Sequence, residues 1–276
     1  MDIIDFRFRP NTEATIQGFT HSAMFKGMFD KMNLSHLVPQ TVPEVVADLN
    51  EANIVKAVIT GRDCETTYGA APNNPGVIAF VEEFPEKFVG FMGFDPHKGM
   101  TGIAEFARSI TEKGMHGASI DPYLAKIPAN DARYYPIYAK CVELNVPLVV
   151  CTGPATLVPG AIMEHSAPGL LDYVARDFPE LKVIISHGGY PWVNEAIMVV
   201  ERNENVYMEL SEYERHPGGE DYIKAMSNII PDKILYASAH PGAHFKDALK
   251  MYDDFNLSQE VMECVMYKNA AKILGI

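Results

Sequence analysis

Short apolar runs alternate along this chain with longer stretches whose apolar residues recur every three or four positions. Eight runs stand out: DIIDFRF at 2–8, IVKAVIT at 54–60, KFVGFMGF at 87–94, GASID at 117–121, PLVVCT at 147–152, KVIISH at 182–187, VYMELS at 206–211 and KILYAS at 233–238. Most are apolar at consecutive positions, the pattern of strands covered on both faces in a parallel sheet. Between them, segments such as PEVVADLNEAN, TGIAEFARSITEKG, APGLLDYVARDF and YPWVNEAIMVVERN carry helical periodicity. Lys113 and Gly114 mark a helix end, and Ser258 with Glu260 marks a helix start. Eight strand-then-helix repeats predict an α/β protein of one domain, a (βα)8 TIM barrel, which typically occupies about 250 residues. The chain has 276. A doubly wound open sheet would bring a Gly-rich phosphate turn, and neither GxGxxG nor GxxxxGK occurs.

One connection is long. Residues 10–42 follow strand 1 and therefore emerge on the C-terminal face, where barrel sites are built. Their Phe and Met content suits a lid over a substrate and equally suits an ordinary packed insertion. No internal repeat, low-complexity tract or linker interrupts the pattern.

Charge narrows the partners. Asp and Glu number 36 against 23 Lys and Arg, a formal net charge of -13 that repels phosphate backbones and anionic lipid. Nucleic acid and membrane are not expected partners. No segment approaches the roughly 18 consecutive apolar residues of a membrane span. MDIIDFRFRP lacks the basic and apolar regions of a secretory signal, so a cytoplasmic location is expected. Cys64, Cys141, Cys151 and Cys264 form no CxxC pair, which fits reduced thiols better than disulfides or a zinc knuckle.

The candidate chemistry stands at the predicted strand ends, which in a barrel project toward the site. Arg7 and Arg9 follow strand 1, and Arg62 follows strand 2. Asp121 and Tyr123 follow strand 4, and Cys151 ends strand 5. His187 and Tyr190 follow strand 6; Glu209 and Tyr213 follow strand 7; His240 follows strand 8. Residues two apart on a strand face the same way, so Arg7 and Arg9 point together into the mouth. A guanidinium stays protonated and has no lone pair to give a metal, so the pair repels cations and attracts anions. Arg62 is a third candidate for holding a carboxylate in bidentate fashion. Each arginine could instead be a structural ion pair.

His187 is the leading candidate general acid or base, since an imidazole titrates near neutrality. Asp121 could accept a proton or orient His187, although Asp-Pro also opens ordinary turns. His240 is the third catalytic candidate, against a turn residue without chemistry. Cys151 reads as a small residue lining the pocket, with a nucleophilic thiol as the less favoured alternative. Glu209 either neutralises the arginines or acts as a base, and Tyr123, Tyr190 and Tyr213 could wall a flat substrate.

Five segments carry a family likeness: IIDFRFRP at the start, DARYYPIYAKCVELNVPLVVCTGP through strand 5, SHGGYPW at 186–192, LYASAHP at 235–241 and the closing KNAAKILGI. Together they resemble the amidohydrolase superfamily, in the amidohydrolase-related (amidohydrolase 2) branch that contains aromatic-acid decarboxylases and 2-pyrone-4,6-dicarboxylate lactonase. The resemblance implies a barrel enzyme with its site at the C-terminal face. In that family the first strand ends in Asp-x-His-x-His. Its two histidines hold a divalent metal with histidines from strands 5 and 6 and an aspartate from strand 8. Here Asp5 keeps the leading acid and His187 keeps the strand 6 histidine. Arg7, Arg9, Cys151 and Ala239 stand at the other positions.

The expectation is therefore a site without metal or other cofactor, in which fixed guanidinium charge replaces the ion and binds a small anionic organic acid. Hydrolysis of an activated ester or lactone is the first expected reaction, because the resemblance includes a lactonase that works without metal. A decarboxylase or hydro-lyase of an aromatic or unsaturated acid is the alternative, and a non-catalytic carboxylate-binding barrel is the third reading. The resemblance also makes a homo-oligomer an expectation, with no interface legible in the sequence.

Overall fold

The computed structural model describes residues 1–22, 24–31, 34, 37–153 and 158–276. Residues 23, 32–33 and 35–36 of the predicted 10–42 connection, and Pro154 of the strand 5 motif, lie outside these. The chain forms eight parallel strands in sequence order: β1 Ile3–Asp5, β2 Ile54–Thr60, β3 Phe88–Gly93, β4 Gly117–Ile120, β5 Leu148–Val150, β6 Val183–Ile185, β7 Val206–Glu209 and β8 Ile234–Leu235. Each pairs in parallel with the next. This is the (βα)8 TIM barrel that the alternation of apolar runs and helical segments predicts.

Side chains alternate along the strands as the pleat requires. On β2, Val58 joins the barrel interior while Ala57 and Ile59 face the helices; on β3, Val89 and Phe91 point in and Phe88 and Met92 point out. The interior is filled by Ile4, Phe6, Val149, Ile184, Tyr207 and Leu235 among others, so it is a packed core and the C-terminal mouth is left for chemistry.

The first and last strands are shorter than their apolar runs suggest, 3–5 against 2–8 and 234–235 against 233–238, because side chains and bulged pairing take over from the ladder at this seam. The Phe6 N–H donates to the Tyr236 carbonyl at 2.8 Å, Ala239 N–H to Arg7 at 3.0 Å and Arg9 N–H to His240 at 3.0 Å. The Asp5 carboxylate accepts from Arg7 N at 3.1 Å, Ser238 N at 3.0 Å and Ser238 Oγ at 2.5 Å. Burial of this carboxyl outweighs those bonds and raises its pKa to about 7.

Helices cover the outside. α3, Val42–Glu51, begins with a reciprocal capping box between Thr41 and Glu44. α6, Gly99–Lys113, ends on Gly114 in the left-handed region, φ 68°, as its Lys-Gly signal predicts. α13, Gln259–Glu263, starts at Ser258, whose hydroxyl accepts from Val261 N at 3.3 Å. The long connection after β1 holds two further helices, α1 Glu13–Thr20 and α2 Lys26–Lys31, and α1 has no buried residue. α5, Asn74–Glu83, follows β2 and faces them across the mouth. Among the described residues no helix is long and apolar enough to cross a membrane.

Candidate active site

The C-terminal ends of β1, β2, β4, β5 and β7 bring six of the expected side chains into one buried cluster. Arg7, leaving β1, places Nη2 3.2 Å from Cys151 Sγ and Nη1 3.8 Å from Glu209 Oε1. Arg62, leaving β2, places Nη2 2.9 Å from Asp121 Oδ1, 3.4 Å from the Tyr123 hydroxyl and 3.8 Å from Cys151 Sγ. Tyr123 and Cys151 are themselves 3.4 Å apart. The thiol is thus ringed by two guanidiniums and a phenol. Glu209 is fixed by the hydroxyls of Ser186 and Ser211 and by the His187 N–H at 3.2 Å.

Arg9 differs from the other two arginines. It is only half-buried, its side chain reaches Thr60 Oγ1 at 3.4 Å, and among the described residues it has no carboxylate partner. Burial, then Arg7 and Arg62, lowers its pKa to about 9, and it remains charged at neutral pH. Burial disfavours the charge of Arg7 too, but Cys151 and Glu209 more than offset it. For Arg62 the same opposition is won by Asp121 and Tyr123. Burial alone would raise Asp121, and Arg62 instead holds that carboxyl below its ordinary value. Glu209 stays raised, because burial exceeds the help from Arg7 and the serines. The cluster therefore keeps its three arginines and Asp121 charged.

His187 sits beside it in the left-handed region, φ 56° and ψ 32°, followed by Gly188 and Gly189, also at positive φ. The backbone there turns sharply enough that a Cβ on Gly153 would lie 2.8 Å from His187 Cβ, so only glycine fits behind the ring. The ring meets Tyr213 edge-on at 5.6 Å, and Tyr213 in turn packs on Tyr190 at 4.8 Å, which makes an aromatic wall on this side. Burial, then Arg7, Arg9 and Arg62, pushes the imidazole pKa well below its usual value, so His187 is neutral at pH 7. Its Nδ1 has no hydrogen-bond partner among the described residues.

His240 is set apart. It stacks on Phe8 with ring centroids 4.7 Å apart and lies 3.3 Å through Nε2 from Asn11 Oδ1. Burial and His244 lower its pKa to about 3. It lines a separate cavity of about 490 Å3 with Arg215 and Asp247, away from the guanidinium cluster.

Several contributors are outside the expected site residues. Ser186 and Ser211 orient Glu209, Thr60 meets Arg9, and Phe25 lies under the Arg62 guanidinium with 5.1 Å between centroid and Cζ. The Met- and Phe-bearing connection after strand 1 was the available signal for Phe25. Ser211 stands at a strand end, but nothing in the local sequence marks the role of either serine, which depends on neighbouring strands.

The donor set does not suit a divalent ion. Among the described residues no group of three or more His, Cys, Asp or Glu side chains converges as metal ligands would. The Arg7 guanidinium lies between Cys151 and Glu209, adding positive charge where a cation would need lone pairs.

A parallel eight-stranded barrel with charged side chains gathered at its C-terminal mouth defines an enzyme scaffold of the TIM-barrel class. The amidohydrolase family model matches residues 27–276, and the chain belongs to that family, whose characterised members are enzymes. A curated relative, the 2-keto-4-carboxy-3-hexenedioate hydratase of Sphingobium sp., is 27% identical over 236 residues, 70% of this chain and 67% of that one. An uncharacterized TIM-barrel protein from Bordetella bronchiseptica superposes with a TM-score of 0.83 at 25% identity, over 100% of this chain and 99% of that one. A probable 2-pyrone-4,6-dicarboxylic acid hydrolase from Acinetobacter baumannii, with citric acid bound, shares the fold at a TM-score of 0.69 and 14% identity, with 100% of both chains covered.

Proposed function

We propose that this protein is a metal-independent amidohydrolase-family enzyme that hydrolyses an activated ester or lactone of a small carboxylate-bearing acid. The observation that carries the reading is the triad of guanidiniums, Arg7, Arg9 and Arg62, gathered at the mouth of the barrel with Arg7 ion-paired to Glu209. Such groups hold a carboxylate and bear the charge of a tetrahedral oxyanion without reorganising. Asp121 is committed to Arg62, which leaves neutral His187 as the better acceptor for a proton.

In this mechanism water forms the new bond to the acyl carbon while its proton passes to the imidazole of His187. The C–O bond to the leaving alkoxide then breaks, and that oxygen takes the proton back from the imidazolium. An isolated His187 is a weak base because it is buried and three cations face it. A bound anion cancels part of that field, so substrate binding itself raises the basicity of the ring. Tyr190 and Tyr213 form the aromatic wall beside the ring, and Tyr123 backs the thiol.

A second reading has support from the curated relative, whose name is that of a hydratase. Water would then add across a double bond conjugated to the carboxylate, with the same guanidiniums holding the enolate and His187 moving the proton. Incubating the protein with lactones, aryl esters and unsaturated acids and resolving the products by mass spectrometry separates the readings. Ring opening or ester cleavage with gain of water supports hydrolysis. Reversible gain of water by an unsaturated acid replaces it with hydration, and release of carbon dioxide would replace both with decarboxylation.

A further inference from the structure

A cavity of about 490 Å3 opens beside the guanidinium cluster, between α1 and α5, within the range of small-molecule sites. Its charged lining consists of Arg9 and Arg62, and no carboxylate faces it among the described residues. Phe19, Phe25, Phe80, Met24 and Val77 supply much of the remaining wall. The cavity thus combines cations with an extensive apolar surface.

Two further observations constrain the occupant. The cluster sets three guanidiniums, Arg7, Arg9 and Arg62, against two carboxylates, Glu209 and Asp121. Arg7 and Arg62 each face one of these carboxylates, whereas Arg9, which also lines the cavity, faces none among the described residues. The Nε of Arg62 is buried and likewise without a partner among the described residues. Above them, α1 lies over the cavity without burying a single residue, although its Phe19 meets Phe25 edge-on at 6.0 Å. A helix laid over an apolar hollow gains packing only when something fills the hollow.

We infer that the substrate is an amphipathic monocarboxylate, with its one carboxylate on Arg9 beside Arg62 and a contiguous apolar body of several carbons in the cavity beneath α1. One carboxylate supplies the partner that Arg9 lacks. A compact polycarboxylate would set its extra charges against phenylalanine and methionine, where nothing repays their desolvation. Arg62 joins the two halves of the site, since the guanidinium that bonds Asp121 also lies over the Phe25 ring. The inference rests on the proposed carboxylate-binding role of the arginines and narrows it to one substrate class.

The test is an NMR-detected titration of the full chain with straight-chain acids from acetate to decanoate, and with octanamide as the neutral control. Affinity is expected to rise about fourfold per added methylene between butanoate and octanoate, the increment for burying a CH2 group. Octanamide should bind at least tenfold more weakly than octanoate. Gly18, on α1, has open space where a Cβ would stand. Gly18→Trp should therefore fill the cavity and flatten the chain-length dependence, while butanoate affinity stays within twofold. Gly76→Leu, on α5 with the same open space, serves if the tryptophan variant does not fold.

Equal affinity for butanoate and octanoate, or a chain-length slope that survives both filling variants, overturns the apolar subsite and leaves the carboxylate reading standing. Octanamide binding as tightly as octanoate overturns the monoanion assignment. If no acid of any length binds, or if Arg9→Met leaves acid affinity unchanged, the arginine assignment itself fails and takes the inference with it.

Discussion

Arg7 and Cys151, 144 residues apart in the chain, meet across the barrel mouth with Nη2 3.2 Å from Sγ, and the other side of the same guanidinium faces Glu209. A single cation thus serves two buried groups on different strands. Removing it strands a carboxylate that is 1% exposed.

Arg7→Met is therefore expected to destabilise the fold by about 3–5 kcal/mol, the cost of leaving one partner of a buried ion pair. The double variant Arg7→Met/Glu209→Gln should recover a substantial part of that loss. Thermal and urea unfolding of the four proteins of the cycle check this. A double variant no more stable than Arg7→Met would show that the pair is not what holds the mouth together.

His187→Asn should lower turnover by roughly 10²–10⁴-fold, the usual contribution of a positioned general acid or base. Asparagine is the informative replacement because it tolerates the left-handed backbone that His187 adopts at φ 56°. Unfolding temperature should stay near that of the parent. A variant that keeps full turnover would remove His187 from the mechanism.

Gly153→Ala should disturb the same step indirectly. Its φ of 82° and the 2.8 Å approach to His187 Cβ leave no room for a methyl group. Steady-state kinetics should show kcat falling with little change in KM, since the arginines proposed to hold the acid are untouched. A change confined to KM would place the glycine in binding and not in positioning.

Glu214 predicts a pH dependence of stability. Burial raises its pKa from 4.5 to about 7, even though Tyr252 donates to it. The folded state thus holds a proton that the unfolded state releases earlier. The resulting stabilisation is fully present below about pH 4.5 and is lost as pH rises through 7, roughly 3 kcal/mol in all. Glu214→Gln should flatten the fall in unfolding temperature between pH 5 and pH 7.5. An unchanged slope would assign the effect elsewhere, with Asp5 as the other carboxyl raised to about 7.

Turnover should survive exhaustive chelation, with metal content measured on the same sample by inductively coupled plasma mass spectrometry. Loss of activity on chelation, restored by one divalent metal, would refute the role given to the arginines.

The barrel was legible because its signal is periodic and repeated eight times, and because strands such as Ile54–Thr60 are apolar on both faces. The strand ends were legible for the same reason: once the strands are placed, the residue after each one is placed too. That located Arg7, Arg62, Asp121, Tyr123, Cys151 and Glu209, which the fold brings within one cluster. What stayed hidden depends on contacts between distant segments. His240 follows strand 8 as expected, yet its stacking on Phe8 turns it toward a different cavity. That Glu209 and not Asp5 faces the Arg7 guanidinium was equally invisible, since it depends on Ser238 occupying the Asp5 carboxylate. The apolar cavity was foreshadowed only by the Phe and Met residues of the segment after strand 1.

That engagement of Asp5 by Ser238 spans 233 positions of the chain. A ring whose first stave is fastened to its eighth by a carboxylate can be assembled in order but not sealed until residue 238 has been made. During synthesis Arg7 must therefore wait, solvated, for Cys151 and Glu209, encoded far downstream, and the proposed anion site comes into being as a late event of folding.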